Sequence, residues 1–84
     1  MSQWDKLIAD ILRKAPNLRF EDLRRALLKM GYTEHQPRGG SSHYTYRKSG
    51  CSPITIPKHT PLKRVYIELA VEAVRLYLEE DRHE

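Results

Sequence analysis

Cysteine is almost missing from this chain, and with it go the covalent devices that staple many small proteins. Cys51 is the only one among 84 residues, so neither an internal disulfide nor a cysteine-based zinc site can form. Set in a turn between polar neighbours, it reads as incidental rather than as an activated thiol. The histidines His35, His43, His59 and His83 contain no i, i+4 pair of the kind that binds metal from a helix. Neither a metal nor another cofactor is expected. No apolar run approaches the roughly 20 residues that a bilayer span requires. The opening Met1-Ser2-Gln3-Trp4-Asp5 lacks the basic start and unbroken apolar stretch of a secretory signal. A cytoplasmic protein without membrane contact is expected.

Acidic residues are absent from His35 to Ile67, a stretch that carries Arg38, Arg47, Lys48, Lys58, Lys63 and Arg64. From Glu68 to Glu84 the balance reverses, with six acids against Arg75 and Arg82. The net charge of +4 hides this separation. A polyanion would be attracted to the middle of the chain, because phosphate contacts dominate nucleic-acid affinity. A solvated basic face with no partner accounts for the same run. With 39% hydrophobic and 31% charged residues, the composition is that of a folded globular chain rather than a disordered one. Residues 1–84 suffice for one domain.

Helical periodicity marks residues 2–15, where Trp4, Leu7, Ile8, Ile11, Leu12 and Ala15 recur at helix spacing. Ser2 and Asp5 suit its capped start and Pro16 its end. A second helix is expected from Phe20 to Met30, stopped by Gly31. Alternation then replaces the helical period. Residues 32–36 form a candidate strand closed by Pro37, and His43-Tyr44-Thr45-Tyr46-Arg47 a second. In that second strand, period two sets His43, Thr45 and Arg47 on one face and Tyr44 and Tyr46 on the other. Ile54-Thr55-Ile56 makes a third, with Pro57 confining it to an edge or a strand end. A final helix is expected with Thr60 as N-cap and Pro61 in its first position. Its apolar stripe runs through Leu62, Val65, Tyr66, Leu69, Ala73, Leu76 and Tyr77, widened by Ile67, Val71, Val74 and Leu78. The expected fold is α+β: a three-stranded antiparallel sheet with helices on one face, in the order α-α-β-β-β-α.

Chemistry concentrates around His43. Gly39, Gly40, Ser41 and Ser42 form a turn whose small residues admit close backbone approach and offer N–H and hydroxyl donors to a phosphate. An imidazole titrates near neutrality, as a general acid or base in RNA cleavage must. RNA brings its own nucleophile, the 2′-hydroxyl, so the reaction asks for proton transfer and charge stabilisation without a metal. By spacing alone, an ordinary strand histidine behind a hairpin turn is the simpler explanation of these residues. His59 stands before the last helix, either to meet phosphate or to order the loop. Tyr44, Tyr46 and Tyr66 can stack on bases or fill the core.

Taken together, Phe20-Glu21-Asp22-Leu23, the helix end from Leu27 to Gly31-Tyr32, Gly40-Ser41-Ser42-His43-Tyr44 and Ile54-Thr55-Ile56-Pro57-Lys58-His59 resemble the HicA family of bacterial toxins. The likeness runs from about Phe20 to Val74. It implies a double-stranded-RNA-binding-like α-β-β-β-α fold over residues 20–78, with residues 2–15 as an N-terminal helical extension. It also implies endoribonuclease cleavage of mRNA during stress and neutralisation by a cognate HicB-type antitoxin protein covering the active site. The family's catalytic histidine corresponds to His43. Arg38, Gly40, Ser41, Ser42, Arg47, Lys48, Lys58 and His59 are the expected RNA contacts. A second serine in the turn departs from the shortest form of the motif, and so does the leading helix, which either extends the core or mediates dimer contact. The alternative is a non-catalytic module that binds RNA or an antitoxin alone.

Overall fold

The computed structural model describes residues 2–36, 38–39, 42–58 and 61–82. Helix α1 spans Gln3–Leu12. Its first turn is closed by Ser2, whose hydroxyl accepts the Asp5 N–H at 3.1 Å, satisfying a donor that has no partner within the helix. Sequence periodicity carries this helix to Ala15, but the structure ends it at Leu12 because Lys14 swings into the left-handed region at φ 54°. The Ala15 N–H then reaches the Asp10 carbonyl and the Lys14 N–H the Ile11 carbonyl, both at 3.0 Å. This is a Schellman closure with lysine where glycine is usual.

Helix α2, Phe20–Lys29, begins with the Asp22 carboxylate accepting the Arg19 N–H at 2.9 Å. It closes as α1 does: Gly31 turns at φ 103°, and the Tyr32 N–H bonds the Leu27 carbonyl at 3.0 Å. That bond takes Tyr32 out of the sheet, so strand β1 is Thr33–His35 and not the expected residues 32–36. Strands β2, His43–Arg47, and β3, Ile54–Pro57, complete an antiparallel sheet in the order β1-β2-β3. Pro57 terminates the edge strand β3, where its missing N–H does least harm. The expected closing role of Pro37 and capping role of Thr60 fall outside the described residues.

Helix α3, Arg64–Arg82, starts later than Pro61 suggests. Residues 61–63 stay non-helical, and the Tyr66 N–H bonds the Lys63 carbonyl at 3.1 Å. An earlier turn would bury little, since Lys63, Arg64 and Val65 are exposed and Ile67 is the first buried side chain of the helix. The buried stripe is also rotated from the expected one. Ile67, Ala70, Val71, Ala73 and Val74 face the core, whereas Val65, Leu69 and Leu76 lie exposed. The apolar arc is wider than one packing face, and which part is covered depends on α1 and α2, both of which α3 contacts.

Ile11, Leu23, Leu27, Tyr46, Ile56 and Val74 are fully buried and come from all three helices and two strands. Each aliphatic side chain so buried stabilises the fold by roughly 1.5–3 kcal/mol, an upper bound set by an extended unfolded chain. The leading helix belongs to this core: Ile11 and Ala15 are fully enclosed, and the Trp4 ring meets Tyr77 edge-on at 6.4 Å. No helix among the described residues is long and apolar enough to cross a membrane.

Candidate nucleic-acid interface

Strand alternation and register sort the sheet into two unlike faces. Toward the helices point Tyr46, paired with Glu34 on one side and Ile54 on the other, and Tyr44, paired with Ile56. Tyr46 and both isoleucines are buried, and Tyr44 packs its ring 5.2 Å from Phe20. Tyr66 is half-buried, so the tyrosines open to base stacking in the sequence are interior or interior-edge residues.

The other face carries no helix among the described residues. His43, Thr45 and Arg47 of β2 lie on it as the sequence alternation predicts. Cross-strand pairing adds Thr33 opposite Arg47, His35 opposite Thr45, and Thr55 opposite Thr45 on the other side. His35, His43, Arg47 and Thr55 are exposed. The Thr45 and Thr55 hydroxyls share a hydrogen bond of 3.1 Å at the centre of the face. From the sequence alone, His35 had no part in the site. Only the register of β1 against β2 brings it into this group.

The face has no carboxylate among its described residues, and Glu34 explains how. As the one acid of the sheet, it points inward and accepts the Arg24 Nε–H at 2.7 Å, a second guanidinium N–H at 3.4 Å and the Tyr46 hydroxyl at 2.8 Å. Burial pushes its pKa up, but the hydrogen bonds from Arg24 and Tyr46 outweigh that and hold the carboxyl below its usual range. Arg24 is raised in turn by its hydrogen bond to Glu34, and the Tyr46 phenol is raised by burial and then by the same carboxylate.

The start of β2 and the end of β3 meet at one corner. His43 pairs with Pro57, and one residue beyond, the Lys58 N–H donates to the Ser42 carbonyl at 2.7 Å. Two motifs distant in sequence are thus adjacent strands. Ser42 is exposed there, and in the segment between β1 and β2 Arg38 is exposed and Gly39 turns at φ 68°. Gly40, Ser41 and His59 lie outside the described residues. Lys58 is exposed, with its ammonium 6.0 Å over the Tyr44 ring.

Lys48, another of the expected RNA contacts, turns toward α3. One residue past Arg47, its side chain takes the helix-side parity and bonds Glu80 of α3 at 3.2 Å. It also lies 5.3 Å from the Tyr77 ring and 5.8 Å from that of Tyr32. Its charge is therefore already matched within the protein.

A shallow groove of about 500 Å³ borders the open face, lined in part by Thr33, His35, Arg47 and Ser49. A somewhat larger cleft of about 560 Å³ lies between α1 and α2, where Lys6, Asp10, Asp22, Arg25 and Lys29 mix both signs of charge. Asp22 and Arg25 already pair at 3.0 Å. The groove suits a polyanion better, because its lining holds the Arg47 guanidinium and, among the described residues, no carboxylate. Among the described residues no group of three or more His, Cys, Asp or Glu is placed to hold a metal ion.

Compared with known protein families, with curated proteins and with solved structures, the chain finds no match.

What the arrangement can do follows from its parts. Two exposed imidazoles, a guanidinium and three threonine hydroxyls, on a face without carboxylates among its described residues, can bind a phosphodiester and exchange protons with it. Ser42, small and exposed, stands beside His43.

Proposed function

We propose that this protein is an endoribonuclease of the HicA toxin kind, which cleaves mRNA with His43 as general acid/base and is neutralised by a HicB-type antitoxin protein. Residues 20–78 are read as a double-stranded-RNA-binding-like α-β-β-β-α unit with α1 added to its core. The observation that carries the reading is the exposed position of His43 at the start of β2, on an acid-free face shared with Arg47 and next to the Ser42–Lys58 corner.

In this reaction a base takes the proton of the RNA 2′-hydroxyl, whose oxygen attacks the neighbouring phosphorus. Cationic and N–H donors stabilise the charge that builds on the phosphoryl oxygens, and an acid protonates the departing 5′-oxygen. Arg47 supplies fixed positive charge, since a guanidinium keeps its proton. Ser42 adjoins His43 and is read as a contact to the RNA backbone, as is Arg38, which is exposed in the segment before β2. No metal is required, because nucleophile and leaving group need only proton transfer.

Inducing the parent chain in bacteria is expected to arrest growth with loss of mRNA, and His43→Ala to abolish both while melting at the parent's temperature. A His43→Ala protein as toxic as the parent would remove His43 from the chemistry. If that protein also bound RNA as the parent does, a non-catalytic RNA-binding module would be the better description.

A further inference from the structure

Cleavage of the kind proposed above needs two proton transfers, one from the 2′-hydroxyl and one to the 5′-oxygen, and His43 in one protonation state performs only one of them. A second group must share the open face. Arg47 does, but does not release its proton. Lys58 stands at the corner with its ammonium over the Tyr44 ring, on the helix-side parity of β3. His35 meets the requirement. It pairs directly with Thr45, so it points from the same face as His43 and is exposed.

The register also sets the spacing. His35 is one diagonal step from His43 and another from Arg47, and such diagonal neighbours in antiparallel sheets lie about 7–8 Å apart. An in-line displacement puts the attacking and leaving oxygens on opposite sides of phosphorus. Base and acid must then face each other across the phosphate, each about 2.7–3.0 Å from its oxygen. Two imidazoles separated by a diagonal step leave that room, whereas directly paired ones would not.

We infer that His35 is the second catalytic residue, working opposite His43 on a phosphodiester seated over Thr45, with Arg47 at the phosphoryl oxygens. This rests on the ribonuclease reading. One neutral imidazole takes the 2′-hydroxyl proton as that oxygen bonds to phosphorus. The phosphorus–5′-oxygen bond breaks with its electron pair on oxygen, and the other, protonated imidazole gives that oxygen a proton. The products are a 2′,3′-cyclic phosphate and a 5′-hydroxyl, and the histidines exchange protonation states until solvent resets them. His35 faces His43 and Arg47 across β2, with Lys48 and Cys51 along the groove. None of these is a carboxylate that could replace it.

The test uses the full chain on a short oligonucleotide with a single ribonucleotide, once with the natural 5′-oxygen and once with sulfur there, a leaving group that needs no protonation. Parent enzyme should give a bell-shaped kcat profile against pH. His35→Gln, at an exposed strand position, should keep the parent's melting temperature and KM, lose about 10²–10⁴-fold in kcat and lack one limb of the bell. Sulfur should restore the rate of only one of the two variants, His35→Gln or His43→Gln, naming the acid. His35→Gln with the parent's rate and both limbs, or rescue of both variants or of neither, overturns the inference and leaves the role of His43 intact. A parent chain that cleaves no RNA removes both.

Discussion

Glu34 keeps the two faces of the sheet chemically distinct. Its carboxylate is held inward by Arg24 and Tyr46, so the acid nearest to the open face adds no repulsion there. Tyr46→Phe deletes a buried hydrogen bond to a charged group and is expected to cost about 1.5–3 kcal/mol in denaturant unfolding. The pH dependence has a definite sign. Because the folded carboxyl titrates below its ordinary value, its contribution is present above the ordinary carboxylate range and is lost as pH falls through the lowered folded value. Glu34→Gln should therefore be less stable than the parent at neutral pH and show a flatter acid limb. Tyr32 acts at the other end of the scale: burial first, and then Cys51, push its phenol up to about 12. Its share of stability is full below the ordinary phenol value of about 10 and disappears as pH rises through about 12. None of this was legible from the sequence. A glutamate in a polar-looking strand shows its inward direction only once β1 is registered against β2.

At the scale of elements, α1 and α2 end in the same closure with different residues at the left-handed position, Lys14 and Gly31. A Cβ on Gly31 would meet only Lys48, at an ordinary 3.7 Å. The cost of Gly31→Ala is thus conformational, and an unfolding loss of about 1–2 kcal/mol is expected. Lys14→Gly relieves the same strain and should gain up to about 1 kcal/mol, less the entropy of a freer unfolded chain. Stability gained by Gly31→Ala and lost by Lys14→Gly in thermal melts would mean that the left-handed positions carry no strain. The sequence revealed β2 to the residue, because His43 to Arg47 alternate strictly and both faces have a consistent character. It revealed α3 less well. An arc that includes Val65, Leu69 and Leu76 as well as Ile67, Val71 and Val74 fits several rotations, and only the placement of α1 and α2 selects one.

Over the whole molecule, charge is divided between an acid-free sheet face and the acidic second half of α3. Binding of an uncleavable 2′-O-methyl RNA should weaken linearly in log–log fashion with salt. Arg47→Ala should reduce that slope by about 0.7, one single-strand phosphate contact. Lys48→Ala should leave the slope alone and lower the melting temperature instead, because that ammonium is engaged by Glu80. An equal drop in slope for both variants would place Lys48 against RNA after all. His43, Thr45 and Arg47 were legible as a group through alternation, whereas the opposite parity of Lys48 was hidden by its proximity to them in sequence. Strand β2 is at once the middle of the sheet, the floor of the proposed site and, through Tyr46, part of the interior. Inserting one residue into it would carry two tyrosines into water and a histidine, a threonine and an arginine into oil. Exchanging side chains at its odd-numbered positions would alter the chemistry while leaving the scaffold as it was, so this protein can change its trade by substitution but not by insertion.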